Sequence, residues 1–375
     1  MNVIFTCGGT GGHINPAIAV ADTLKARHPE CNILFIGAKG HMEEQLVPRA
    51  GYRLETLPGS GLSRKLNWAG IKKNAKAAAS VLTAVSQCKK IIREFQPDVI
   101  IGTGGYASFP ALYAGSRLGI PTCVHESNAV PGLTTKMAAN VASRVLVCFE
   151  ESRRHYKHPE KVQVVGMPIR PDFWETSRQQ ARKALGLEEG PLVVSTFGSQ
   201  GARAMNEVMA QLFALEQKNG FPFQHIHATG SFGWEWMPER LRQEGVELDK
   251  CPSIDMREYI YNMPEVLAAA DVVLGRAGSG TCNEIAATGT PCILIPSPNV
   301  TNNHQEKNAR ILEQRSGAVV VLEGECTAQG LYDAILSLMQ DHARRKQMSQ
   351  SLRSMVIPDS AQRICDILET LMKGQ

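Results

Sequence analysis

The chain has 375 residues, more than one ordinary domain needs and enough for two that each bury a core. Its 43% hydrophobic and 20% charged content exclude a fibrous or disordered protein, and no apolar run approaches the ~18 residues of a membrane-spanning helix. The net charge of +4 joins two unlike parts: residues 1–165 hold 20 Lys and Arg against 11 Asp and Glu, and residues 166–375 hold 20 against 25.

Short β-branched runs alternate with longer helical stretches from the first residues onward. Strands are predicted at 3–7, 32–36, 54–57, 99–102, 122–125, 145–147 and 162–165, and helices at 16–27, 42–50, 71–95 and 109–118. Such alternation implies βαβ units around a parallel sheet, an α/β class. The stretch Gly166-Met167-Pro168-Ile169-Arg170-Pro171 reads as a linker. The pattern then restarts, with strands at 193–197, 225–228, 272–274, 292–295 and 318–322. Two Rossmann-like domains are expected, 1–166 and 167–357, facing each other across a cleft with ligands at the carboxyl ends of the strands. A last helix in 358–375, after the break at Ile357-Pro358, is expected to pack back on the first domain.

Asn2 to Cys7 lacks the basic start and cleavage site of a signal peptide, so a cytoplasmic location is expected. The ten cysteines form no C-x-x-C pair and no clustered Cys/His spacing, which points to reduced, buried thiols and no metal site. Between Glu55 and Glu94 there is no acid, while Arg64, Lys65, Lys72, Lys73, Lys76, Lys89, Lys90 and Arg93 fall there with Leu62, Leu66, Trp68 and Ile71. This segment fits either an anionic membrane surface or a solvated basic helix face.

Three glycine loops follow predicted strands: Gly8-Gly9-Thr10-Gly11-Gly12-His13, Gly102-Thr103-Gly104-Gly105-Tyr106 and Gly198-Ser199-Gln200-Gly201-Ala202-Arg203. Glycine lets backbone approach an anion, and the helix beyond offers unbonded N–H groups and a positive dipole end, so phosphate is the inferred ligand; tight packing is the other reason for such glycines. A dinucleotide site needs G-x-G-x-x-G and an acid ending the second strand, and a P-loop needs G-x-x-x-x-G-K-[ST]. The chain has neither. A fourth element, Gly275 to Glu284, again joins a strand to a helix. Its N-terminus suits a phosphate, and Glu284, placed by this reading in the first turn, offers a carboxylate to sugar hydroxyls or serves only the helix dipole.

Taken together, GGTGGHINPAIAVA from Gly8, GTGGYASFP from Gly102, HESNAVPGLTTK from His125, GMPIR from Gly166, GSQGAR from Gly198, RAGSGTCNE from Arg276 and NNHQEKNA from Asn302 closely resemble the MurG family in content and order. These are the UDP-GlcNAc:lipid I transferases of peptidoglycan synthesis, with the GT-B fold. The family's usual wording varies at Ser127, Ala129, Cys282 and Asn283. The resemblance implies an inverting N-acetylglucosaminyltransferase, a hexosyltransferase serving cell wall biogenesis, cell division and cell shape. It implies UDP-GlcNAc and lipid I as substrates, no cofactor, and a peripheral place on the cytoplasmic face of the bacterial membrane among other cell-wall synthesis proteins.

The same resemblance implies roles residue by residue. Thr10, Gly11 and Gly12 sit by the sugar and acceptor, Asn128 touches the transferred sugar, and Arg170 and Ser199 hold the diphosphate. Ile260 reads uracil through its backbone. Ser279, Gly280, Thr281, Cys282, Asn283 and Glu284 bind phosphate, ribose and sugar, and Gln305 bonds GlcNAc hydroxyls. No Asp-x-Asp site stands out, so metal-independent chemistry is expected. His13 is the candidate general base by residue type and place, a structural loop-capping His being the alternative. A UDP-GlcNAc 2-epimerase, another lipid glycosyltransferase or a non-catalytic nucleotide-sugar-binding protein remain alternative functions.

Overall fold

The run Val3-Ile4-Phe5 is apolar at every position because both faces of its strand are covered. Val3 and Phe5 join a buried cluster with Ile14, Ala17, Val20 and Leu24, whereas Ile4, pointing the other way, joins one with Ala84, Cys88, Ile92, Ala111 and Leu112. The computed structural model describes residues 1–58, 68–187 and 190–374, with backbone alone for 68–79 and 301.

The described chain divides into two compact units, Met1–Ile169 with Ile357–Gln375, and Arg170–Val356. The first carries β1 (Asn2–Thr6), β2 (Asn32–Ala38), β3 (Arg53–Leu57), β4 (Val99–Gly102), β5 (Thr122–Glu126), β6 (Arg144–Val147) and β7 (Val162–Val164), all parallel, in the order β3-β2-β1-β4-β5-β6-β7. The second carries β8 (Leu192–Thr196), β9 (Gln224–Ala228), β10 (Ile254–Arg257), β11 (Val272–Gly275), β12 (Cys292–Leu294) and β13 (Ala318–Val320), in the order β10-β9-β8-β11-β12-β13. Both sheets are Rossmann-like. The last helix, Ser360–Lys373, lies in the first unit. It buries Ile364, Cys365 and Leu368 in the β1 cluster, and its Asp366 pairs with Arg27 at 2.5 Å.

Three departures from the sequence reading have local causes. The first helix spans Gly11–Arg27, not 16–27, so Pro16 lies inside it and His13 falls in its first turn. Pro16 lacks the amide that would bond the Gly12 carbonyl, which is why the sequence suggested a start there. Strand β10 was not anticipated: it is a sheet edge in which Asp255 and Arg257 alternate with Ile254 and Met256 and bond each other. Glu284 lies in the second turn of the Ser279–Thr288 helix, whose first turn holds no acid. The dipole therefore does not account for it.

In the Trp68–Phe95 helix, Ala84, Val85, Cys88, Ile91 and Ile92 form the buried face, while Lys90 and Arg93 are exposed. Of the basic segment, Leu62, Arg64, Lys65 and Leu66 lie outside the described residues, as do the side chains of Trp68, Ile71, Lys72, Lys73 and Lys76. Among the described residues no helix is long and apolar enough to cross a membrane.

Candidate functional site

In each sheet the strand order reverses once, between β1 and β4 and between β8 and β11. A crevice forms outside the carboxyl ends of strands at such a point, because the loops leaving the two strands turn to opposite faces. The four glycine elements follow those four strands. Chain topology therefore assembles two candidate sites, one in each unit.

In the first unit the two loops are fitted backbone to backbone. A Cβ on Gly105, whose φ is +85°, would stand 2.3 Å from the Gly8 carbonyl oxygen, and one on Gly104 would stand 2.7 Å from His13 Nδ1. Here glycine serves close approach of the two loops, the packing alternative rather than phosphate binding. The amide of Gly9 is also taken, donating to Glu43 Oε2 at 3.0 Å. The amides of Gly11 and Gly12, in the first turn of a helix whose cap residue Thr10 makes no side-chain bond, are the ones this loop presents to an anion.

His13 is half-buried and clamped from both sides. Its Nδ1–H donates to the Thr103 carbonyl at 2.9 Å, and Thr103 Oγ1 donates to the His13 carbonyl at 2.6 Å. A carbonyl only accepts, so in the neutral ring the proton sits on Nδ1 and the lone pair on Nε2. That is the tautomer a general base requires.

The loop after β5 is organised by a carboxylate. Glu126, 3% exposed, accepts the Asn128 backbone N–H and Nδ2 through Oε1, both at 2.9 Å, and the Gly132 N–H through Oε2 at 3.1 Å. Beside it, buried His125 donates from Nε2 to the Gly166 carbonyl at 2.9 Å, and burial pushes its pKa down, keeping it neutral. His125 is thus a structural pin, and Asn128 is a positioned amide.

In the second unit, Ser199 is exposed after β8, and Arg170 stacks over Phe173 with its guanidinium near Asp172 at 3.8 Å. Gly201 and Gly230, both at positive φ, cross so closely that a Cβ on Gly201 would meet the Thr229 oxygen at 2.0 Å. After β10, Ile260 is 2% exposed between the outward Tyr259 and Tyr261 rings. No side chain caps the Ser279–Thr288 helix at Gly278. Ser279 is nearly buried, while Gly280 and Thr281 follow in the same open first turn. Cys282 points into the core, its thiol pushed up to about 12 by burial, and Asn283 Nδ2 donates to the Ser279 carbonyl at 2.8 Å. The Cys282 backbone N–H is itself taken, donating to the Gly278 carbonyl at 2.9 Å, so the helix start presents the amides ahead of it. Glu284 is half-buried, and burial raises its carboxyl pKa while Arg170 opposes the rise. Gln305 opens the His304–Gln314 helix and accepts the Ser297 N–H at 2.8 Å.

Sequence reasoning passed over four residues that hold these loops. Glu43 and Glu126 bind loop amides in the first unit. Asn308 donates to the Ala277 carbonyl at 3.1 Å, tying the Gln305 helix to the loop after β11. Arg276, 9% exposed, donates to the Ile295 carbonyl, pairs with Glu323 and stacks over Phe197. Glu126, Arg276 and Asn308 lie inside the motifs HESNAVPGLTTK, RAGSGTCNE and NNHQEKNA, which is a signal of place and not of role, and Glu43 lies outside every motif. Among the described residues no three His, Cys, Asp or Glu side chains are grouped to hold a metal ion.

Residues 3–147 match the glycosyltransferase family 28 N-terminal domain, and residues 192–364 match the family 28 C-terminal domain. The chain is 39% identical over 376 residues to the UDP-N-acetylglucosamine--N-acetylmuramyl-(pentapeptide) pyrophosphoryl-undecaprenol N-acetylglucosamine transferase of Acetivibrio thermocellus, covering 100% of this chain and 99% of that one. It is 38% identical to the enzyme of the same name from Bacillus licheniformis, covering 99% of each. Among solved structures, Acinetobacter baumannii MurG superimposes with a TM-score of 0.77 at 24% identity over 98% of this chain and 99% of that one. A UDP-GlcNAc 2-epimerase from Neisseria meningitidis bound to UDP-GlcNAc does so at 0.67 with 13% identity, covering 99% and 100%, a likeness of fold.

Proposed function

The chain belongs to the MurG family within glycosyltransferase family 28, the UDP-GlcNAc-dependent hexosyltransferases that form lipid II, and from that premise we propose how its residues divide the work. The second unit takes the donor. Ser199 and Arg170 meet the diphosphate, helped by the open helix start at Ser279, Gly280 and Thr281, with Cys282 and Asn283 next in the same helix. Ile260 reads uracil through its backbone, Glu284 takes ribose hydroxyls, and Gln305 takes those of GlcNAc. Full-length identity to the transferases, against a likeness of fold to the epimerase, favours transfer to lipid I over epimerisation.

The first unit takes the acceptor. Thr10, Gly11 and Gly12 line it, and Asn128, held by Glu126, touches the transferred sugar. His13 Nε2 removes the proton of the muramyl sugar hydroxyl as that oxygen attacks the anomeric carbon of GlcNAc and UDP leaves, inverting the configuration. Charge building on the leaving diphosphate is met by Arg170 and the helix start. The observation carrying this reading is the His13–Thr103 clamp, which leaves the lone pair on Nε2. Formation of disaccharide product from UDP-GlcNAc and lipid I tests it.

A polyprenyl-linked acceptor stays in its bilayer, so the enzyme comes to the cytoplasmic surface, with its basic first unit toward anionic headgroups. Each Lys or Arg near such a surface contributes ~1 kcal/mol, decaying within a Debye length. Attachment is therefore expected to be peripheral and salt-sensitive. Co-sedimentation with anionic vesicles should fall with salt and in K72E/K73E/K76E, and neutral vesicles should bind weakly. Equal binding of both proteins to both vesicle types would leave the segment as a solvated basic face.

A further inference from the structure

Glu43 is a carboxylic acid with no exposed surface, and among the described residues its two oxygens accept backbone amides alone: Gly9 N–H at 3.0 Å through Oε2 and Ala38 N–H at 2.8 Å through Oε1. Two glycines make room for it. A Cβ on Gly37 would stand 2.6 Å from Glu43 Cγ, and one on Gly8 would stand 2.9 Å from Oε1. If the chain needed only to fill this space, an apolar side chain would do so without desolvating a carboxylate. What the acid does that Met or Leu cannot is bind two amides from different segments at once, joining the end of β2 to the loop after β1.

The segment it joins leads directly to His13. Gly9 has φ +88°, and four residues on, the helix has begun: the Thr10 carbonyl accepts the His13 N–H at 3.0 Å and the Ile14 N–H at 3.2 Å. A loop passing through left-handed backbone has no regular hydrogen-bond ladder to fix its path, so a tie from outside sets it. We propose that Glu43 is a positioning residue for His13, fixing the backbone that carries the ring while Thr103 fixes the ring itself. This rests on reading His13 as the base. Glutamine in its place has one acceptor oxygen for two amides and sets an N–H₂ against the other, whereas aspartate keeps both oxygens on a shorter arm.

The test follows kcat, KM, the pH profile and the titration midpoint of ring-labelled His13 by NMR, in E43Q, E43D, H13A and E43Q/H13A of the full chain. E43Q should lower kcat roughly 10-fold to 100-fold, the scale of an ångström-sized misplacement, with the UDP-GlcNAc KM unchanged. It should shift the His13 midpoint and the acid limb of kcat together, E43D should recover part of the loss, and E43Q should add little in the H13A background. Should E43Q fail to fold, E43D carries the same readouts. Wild-type kcat in E43Q, or a lowered kcat with an unmoved His13 midpoint, would overturn the proposal. Full turnover in H13A is a separate result: it removes the base reading and with it the function assigned here to Glu43, whatever the midpoint does.

Discussion

His13→Ala is expected to lower turnover roughly 100-fold or more while leaving UDP-GlcNAc affinity nearly intact, because positioned proton transfer contributes about that factor. The binding side is largely spared because the donor residues proposed here, Asn128 apart, belong to the second unit and His13 to the first. The fall should come in kcat, and the acid limb of the kcat profile should disappear with the ring. Stopped-assay kinetics across pH, paired with calorimetry of donor binding, separate the outcomes. Turnover that survives with an unchanged profile would make His13 a clamp for Thr103 and nothing more.

Glu284→Ala should weaken UDP-GlcNAc binding by ~1–3 kcal/mol, the cost of stranding buried ribose hydroxyls, or about 5-fold to 150-fold in Kd. Glu284→Gln separates binding from stability. The folded-state pKa of Glu284 is raised by burial, with Arg170 only partly offsetting it, so its charged form is less favourable folded than unfolded. Stability from this group is therefore present below the ordinary carboxylate pKa and lost as pH rises through the raised one. At neutral pH the Gln variant should then be at least as stable as the parent, and yet bind donor more weakly. Urea denaturation at pH 7 and calorimetry check the pair. A variant that loses stability and keeps affinity would assign Glu284 to the fold.

Much of the fold was legible because its strands are buried on both faces. Val3-Ile4-Phe5 and Val99-Ile100-Ile101 announce themselves by unbroken apolar runs, as does Val272-Val273-Leu274. Strand β10 escaped because an edge strand alternates: Ile254 and Met256 face inward while Asp255 and Arg257 meet solvent and each other. The first helix was cut short because Pro16 looks like a helix start, whereas loop packing carries the helix back to Gly11. At the candidate site the glycine motifs marked which strand ends mattered. They did not reveal why each glycine is there: Gly105 answers to the Gly8 carbonyl and Gly201 to Thr229, contacts between segments far apart in sequence. Glu43 and Glu126 were invisible for the same reason. A buried acid reads like any other until the amides it binds are brought to it by the sheet.

The reaction assigned to this family is transfer of GlcNAc to a lipid-held muramyl sugar. Incubating the purified protein with labelled UDP-GlcNAc and lipid I tests it most directly, with released UDP and lipid-linked disaccharide measured together. The two should form in equal amounts, and neither should form when lipid I is left out. Conversion of UDP-GlcNAc to its C2 epimer without lipid I, or donor binding with no disaccharide, would contradict it.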